Sequence, residues 1–391
     1  DTQSEESPVN VIHHYFYYLL IIVFSNYTFS ESKYKKLFLI NNKSIIKIKF
    51  TKAGKNKIFS SSYRYRFSAK IYDAKNAVIK PDKTLISITT KNNNFITINF
   101  GNTKIDTCEK MFKGLKNILE INLSNFDSSK VTNMAYMFDG CSNLTKITFG
   151  KMDTSLVKNM ESLFDGCIKL KSLNVTNFKT SLVTNMKRTF ACLHELVSLK
   201  LSNNFKTSKV TNMTHMFYHS FVLASIDLSM FDTSGVTLMD KLFTGCSSLE
   251  YLNLSNFKTY KVKNMKNMFY GCKSLKSLDI SNFDTSNVIS INSMFSGCTS
   301  LISLNLSNFN TSLVSNMYRM CYGCSSLILI DISNFNMQNI RMCSEMFSNS
   351  TNIRYLKILN VQTSTTFLDY IQGEDGLNNI DNLIVCQNSD I

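Results

Sequence analysis

The stretch SLDISNFDTSNVISINSMFSGC, residues 277–298, holds no catalytic triad, metal cage or phosphate loop, yet versions of it recur along most of the chain. Its Ser-Asn-Phe phenylalanine sets a period. Phe100, Phe126, Phe178, Phe205, Phe231, Phe257, Phe283, Phe309 and Phe335, with Met152 in the one missing place, are spaced by 26 residues except for a single step of 27. The odd step comes from the extra asparagine in LSNNF, residues 201–205, and predicts one bulged loop in an otherwise regular array.

Within one unit, LKSLDISNF (275–283) alternates apolar and polar residues around Leu278 and Ile280, the pattern of a short half-buried strand in a leucine-rich repeat. The DTS tract that follows supplies turn residues. In VTNMAYMFDGC (131–141) the apolar residues Val131, Met134, Met137, Phe138 and Cys141 fall at steps of three and four, the spacing of a helix face. Thr132 or Asn133 would cap such a helix and Gly140 would end it. The expected fold is therefore an α/β solenoid, a right-handed leucine-rich-repeat-like array of about ten units, each strand, turn and short helix. A lone unit buries too few apolar groups to offset about 1 to 2 kcal/mol of backbone entropy per residue, so stacking is what makes its core.

Four segments are expected: a signal-like or disordered stretch over 1–30, a small basic β domain over 31–99, the solenoid over 100–360 and a C-terminal cap or tail over 361–391. Strand-like alternation in 45–50, 63–67, 85–89 and 95–100 predicts an antiparallel sheet that caps the first unit. The apolar run YFYYLLIIVF (15–24) followed by SNYTFS (25–30) is too short to span a bilayer as a helix and suits the core of an export signal.

The net charge of +15 is unevenly placed. Residues 31–99 hold sixteen Lys and Arg against three acids, a surplus of thirteen, so Lys47, Lys49, Lys55, Lys57, Arg64 and Arg66 form a candidate patch for an anionic glycan or lipid. Nucleic acid is disfavoured there, because strand alternation would separate the tyrosines from the arginines. The outward strand positions Asn122, Thr148, Asn174, Lys200, Asp227, Asn253, Asp279, Asn305, Asp331 and Lys357 form a polar strip suited to a protein or glycan ligand, or simply to keeping the sheet solvated.

Cys141, Cys167, Cys246, Cys272, Cys298 and Cys324 follow glycine and stack in one column. Without a recurring Cys-x2-Cys or histidine partner they do not read as zinc ligands, and small buried thiols in a core ladder are expected. The pairing of Cys108, Cys192, Cys321, Cys343 and Cys386 stays open. His215 and His219 have the i, i+4 spacing of a helical metal pair but no recurring partner, so neither a metal site nor a cofactor is expected. No carboxylate or histidine cluster suggests catalysis.

LDISNFDTSNV (278–288) and NMFYGCKSL (267–275) together resemble the BspA-like leucine-rich-repeat surface proteins, over roughly residues 100–358. The resemblance implies an exported, cell-surface or secreted, non-enzymatic solenoid used in adhesion to host, matrix or neighbouring-cell molecules. A structural coat or spacer that self-associates is the alternative. The units around Met152, Ala191–Leu193 and Tyr218–Ser220 depart from the family phrase.

Overall fold

The structure, a computed structural model, describes residues 44–63, 69–80, 85–88, 94–358 and 384–386. The export-signal segment, Arg64 and Arg66 lie outside them. From Ser44 onward the chain forms one compact unit. Six strands precede or open the coils: β1 (Ser44–Phe50), β2 (Gly54–Lys57), β3 (Lys70–Tyr72), β4 (Val78–Ile79), β5 (Leu85–Ile88) and β6 (Phe95–Gly101). Strands β7 (Ile118–Asn125) and β8 (Lys146–Thr148) belong to the first two coils. The later coils contribute β9 (Ser172–Asn174), β10 (Ser198–Lys200), β11 (Ser225–Ile226), β12 (Tyr251–Leu252), β13 (Ser303–Asn305) and β14 (Leu329–Asp331), and β15 (Tyr355–Lys357) follows the last of them. A last strand, β16 (Ile384–Cys386), pairs in parallel with β15.

Of the four runs expected to form one antiparallel sheet, 45–50 and 95–100 pair with each other, 85–88 pairs instead with β2 in a separate two-stranded sheet, and 64–67 lies outside the described residues. The larger sheet is fused to the solenoid and does not merely sit on its end. β1 pairs with β6 on one side and with β7 on the other, and β7 then pairs in parallel with β8. Ile46, Ile48, Ile96 and Ile98 of this sheet are fully buried. Beyond it run about nine coils of 26-residue spacing, the first over 118–143 and the ninth over 327–352. We number them 1 to 9.

No helix occurs among the described residues, and this corrects the expectation for the second half of each unit. The reason lies in two left-handed residues per coil. Tyr136, Arg188, Lys241 and Arg319 stand at φ of 60°, 56°, 58° and 53°, and Gly140 four residues after Tyr136 stands at 70°. A left-handed residue every fourth position prevents i→i−4 bonding. The N–H groups divide instead between two partners. Those of Met134, Tyr136, Phe138 and Gly140 donate to the carbonyls of Asn159, Glu161, Leu163 and Asp165 in the next coil, while those of Met137 and Cys141 donate to Met134 and Phe138 within the coil. The segment is a run of turns hydrogen-bonded like a sheet. It still buries Met134, Met137, Phe138 and Cys141, so a spacing of three and four is satisfied without a helix.

Four buried columns run along the interior. The rings of Phe112, Phe138, Phe164, Phe190, Phe217, Phe243, Phe269 and Phe295 stack face to face with centroids 5.5–5.9 Å apart. A second column holds the Ser-Asn-Phe phenylalanines; where Met152 replaces one of them, Phe149 adds a ring that meets Phe178 edge-on at 4.8 Å. The third is the cysteine column. In the fourth, Thr154, Thr180, Thr207, Thr233, Thr259, Thr285 and Thr311 of the DTS tracts are all buried, and each hydroxyl donates to a backbone carbonyl of the following coil. The hydroxyls of Thr154, Thr207, Thr233 and Thr311 also accept the N–H of that same residue. These threonines join coils; they are not merely turn formers.

Candidate binding surfaces of the solenoid

The residues of the predicted polar strip are exposed or half-exposed except Asp331, which is buried where outward exposure was expected, and the row begins on the N-terminal sheet. Lys47 lies opposite Asn122, and Asn122 opposite Thr148, so the lysine continues the strip. Lys49, two residues on, is paired with Glu120 at 2.7 Å. Lys55 and Lys57 sit apart on the separate two-stranded β2–β5 sheet, exposed on either side of the buried Asn56. The structure therefore divides the candidate anionic-partner patch between two sheets and neutralises one of its members.

Most strip residues also have an internal task. The side-chain oxygens of Asn122, Asn174, Asp227, Asn253, Asp279, Asn305 and Asp331 each accept the N–H two residues later, closing an Asx turn where the strand ends. The same bond lowers the carboxyl pKa of Asp227 and Asp279. Lys200 makes no such bond, and Lys357 is paired with Asp331 at 3.4 Å. Two further Asx columns mark the other corners of the coil, with Asp127, Asp153, Asp232 and Asp284 in one and Asn133, Asn159, Asn185 and Asn212 in the other.

The cysteine column is buried, and every thiol has the same partner. Cys141, Cys167, Cys246, Cys272, Cys298 and Cys324 donate to the phenylalanine carbonyl of the preceding coil at 3.1–3.3 Å. Ser220 and Ser350 stand in the column where cysteine is missing, and their hydroxyls make the equivalent bond at 3.0 and 2.6 Å. Leu193 of coil 3 is the exception, so the column holds a small donor in eight of its nine coils. Cys108, Cys192, Cys321 and Cys343 are free, as are the six column cysteines, while the side chain of Cys386 lies outside what the structure describes. Burial pushes the Cys141 and Cys246 thiols up to about 12. Cys192, at the glycine position of coil 3, is only partly covered, and burial together with Asp165 raises it to about 11. Among the described thiols, Cys192 is expected to be alkylated first by maleimide in the native protein, the column reacting only in denaturant; peptide mapping by mass spectrometry checks this, and early labelling of Cys246 or Cys272 would contradict the stacked interior.

The turn face carries features that single-unit reading missed, because their members come from different coils. Near its start, the Tyr136 hydroxyl donates to Glu161 at 2.6 Å, while Lys113 lies 4.4 Å from the Tyr136 ring centroid and pairs with Asp139. Near its end, Arg319 lies against Tyr318 and Tyr322 at 5.0 and 4.8 Å and binds Glu345 through two nitrogens. Between them, Arg188 makes a two-pronged bond to Asp165 at 2.6 and 3.1 Å and lies 5.4 Å from the Tyr218 ring centroid. His219 stacks on Tyr218 at 3.8 Å, and His219 and His194 flank Phe221 at 5.1 and 4.7 Å. Gly245 of the next coil makes room for this group, since a Cβ there would come within 2.4 Å of the His219 ring.

His215 and His219 therefore sit on consecutive turns, not on one helix face, and the described residues contain no group of three or more His, Cys, Asp or Glu able to hold a metal. Burial, then Lys241, depresses His215 to about 4, with Asp240 opposing and Arg188 and Lys187 reinforcing the shift. An unfolded His215 takes up its proton near pH 6.5, so its contribution to stability is complete above that value and is lost as pH falls from 6.5 to 4. The expected loss is about 1 to 2 kcal/mol after solvent screening. Urea unfolding at pH 7 and pH 5 should show a smaller difference in His215→Asn, which keeps a side chain tolerant of the left-handed backbone; an unchanged difference would assign the effect elsewhere.

The family model described as "Mycoplasma protein of unknown function, DUF285" matches residues 106–200, 193–278 and 273–379, most of the chain. The chain belongs to this family. DUF285 membership covers the coils and leaves the N-terminal strands β1 to β6 outside the matched segments. No curated protein matches the chain. Among solved structures, the crystal structure of a TLR13–ssRNA13 complex matches at 15% identity and a TM-score of 0.17, over 59% of this chain and 46% of that one, so the chain spans just under half of that protein's length. Among the described residues of this DUF285 chain, no helix is long and apolar enough to cross a membrane.

Proposed function

We propose that the chain is a non-enzymatic, cell-surface or secreted display rod, BspA-like in use, that binds molecules of a host, a matrix or a neighbouring cell through the exterior of its coils. One observation supports this above the others. Tyr136, Ser162, Arg188, His215, Lys241, Asn267, Ser293, Arg319 and Glu345 share one backbone conformation, with φ of 51–60°, yet differ in charge, size and aromaticity from coil to coil. Ser162 and Ser293 are buried and the other seven are partly exposed, so the scaffold holds its backbone constant while varying a side chain that reaches the surface in seven coils, which suits recognition by many modest contacts. The polar strip supplies a second such surface. An array of glycans and matrix proteins tests the reading: saturable binding by folded chain is expected, and none at all would sink it.

A structural coat or spacer role is favoured by a different observation. Ile302, Ile328, Leu329 and Tyr355 form a contiguous exposed apolar group on the strand face of the last coils, with Leu329 directly opposite Tyr355. Concentration-dependent association in sedimentation, abolished by Ile328→Lys, would support that alternative.

A further inference from the structure

The corner that follows the Ser-Asn-Phe phenylalanine gathers lysines that lie far apart in the sequence. Down the position after the phenylalanine, the residues of coils 2 to 7 are Asp153, Lys179, Lys206, Asp232, Lys258 and Asp284. Three and five residues further along each coil, the same corner adds Lys209, Lys261 and Lys263. All six lysines are exposed, and none has an ion-pair partner among the described residues. Asp232 is the one acid within this edge, and Asp153 and Asp284 border it. After their hydrogen bonds to the backbone and serines, Lys179 and Lys258 help to lower the carboxyl pKa of Asp153 and Asp232, which leaves Lys206, Lys209, Lys261 and Lys263 as the members facing no such acid.

Four coils at about 4.8 Å per step make the edge about 14 Å long. Lys179 and Lys206 occupy equivalent places on adjacent coils, an arrangement in which like charges repel and which does nothing for the stack. Lys209 and Lys261 flank Gly235, which puts no side chain between them. Tyr260 stands where other coils carry Ser155, Ser181, Ser208, Ser234, Ser286 and Ser312; it is 40% exposed, with the Lys261 ammonium 5.6 Å from its ring centroid. Nothing in the packing calls for an aromatic ring there.

We propose that this edge binds a sulfated polysaccharide, the lysines meeting successive sulfates and the face of Tyr260 packing on a sugar ring. The proposal rests on the display-rod reading and gives it a partner class. Six ammonium groups without one guanidinium, and one ring instead of a series of platforms, fit an anionic glycan better than a nucleic acid, which is typically read by arginine and stacked aromatics. The site lies outside the basic N-terminal segment that net charge alone singles out.

The test uses the full chain on immobilised heparin at 0.05 to 0.5 M salt, with the triple substitution Lys209→Gln, Lys261→Gln and Lys263→Gln set against Lys47→Gln, Lys55→Gln and Lys57→Gln. Wild-type binding should weaken steeply with salt and fall about fivefold for each corner lysine removed, so about a hundredfold in the first variant. The second variant should bind as wild type, and Tyr260→Ser should weaken binding without changing its salt dependence. Thermal melting confirms that each variant folds. Equal binding by the corner variant and wild type, loss in the N-terminal variant, or equal competition by desulfated heparin, single-stranded DNA or phosphatidylserine vesicles would overturn the assignment. Saturable binding of a neutral glycan or a protein with no affinity for heparin would overturn this inference alone, whereas absence of binding to every arrayed ligand would remove the display-rod reading as well.

Discussion

Replacing Phe243 by alanine is expected to destabilise the chain by about 3 to 5 kcal/mol, the largest effect of any single truncation in the coils. The ring is 1% exposed and is stacked on both faces, against Phe217 at 5.5 Å with an interplanar angle of 2° and against Phe269 at 5.8 Å and 7°. Its removal opens a cavity bounded by rings that are themselves held by the next pair, so neighbouring coils cannot close it without breaking the inter-coil bonds Phe217 N–H to Leu242 and Phe243 N–H to Met268. Chemical denaturation measures the loss, and hydrogen exchange should show it concentrated in coils 4 to 6. A loss below about 1 kcal/mol would mean that the stack adapts, and that the coils are less rigidly registered than their bonds suggest.

The second large effect comes from a residue that looks unremarkable in sequence. Thr233→Val keeps the shape of a buried side chain but removes a hydroxyl that donates to the Lys258 carbonyl at 2.9 Å and accepts the Lys258 N–H at 2.7 Å. Both backbone groups of Lys258 would then be left without that partner, at roughly 1 to 3 kcal/mol each, so a loss of about 2 to 6 kcal/mol is expected. Thr233→Ser should recover most of it. If valine were tolerated, water would have to reach the interior between coils 5 and 6, and the threonine column would not be a joint.

The repeat itself was legible because one phrase recurs with its phenylalanine every 26 residues, and no other arrangement buries so regular a series. The helix expected over residues 131–141 failed for an equally specific reason. Met134, Met137, Phe138 and Cys141 need only to face inward, and both a helix and a run of turns with Tyr136 and Gly140 in left-handed conformations achieve that. Apolar spacing carries the inward direction but not the hydrogen-bond partner. For the same reason the DTS threonines looked like turn residues, although their hydroxyls reach into the following coil.

The candidate surfaces were less legible than the core. The outward strand positions could be counted off along the repeat, yet their role in closing Asx turns is visible only once Asp279 is seen accepting the Ser281 N–H. The Arg188–Asp165–Tyr218 group and the lysine corner draw their members from coils about 26 residues apart, so a running sum of charge along the chain dilutes what the fold assembles. The polar strip and the first lysines, by contrast, lie side by side because β1 pairs with β7.

Every coil hands its donors to the next at a nearly constant offset, as Phe269 does to Met294 and Phe295 to Met320. Length is therefore an adjustable property of this molecule. Excising residues 275–300 would bring the coil ending at Ser274 against the one starting at Leu301, with matching donors and acceptors at the new seam. Such a shortened chain should melt in one cooperative transition, whereas excision of half that length should not fold. A rod of this kind can change its reach by whole units without redesigning anything it displays.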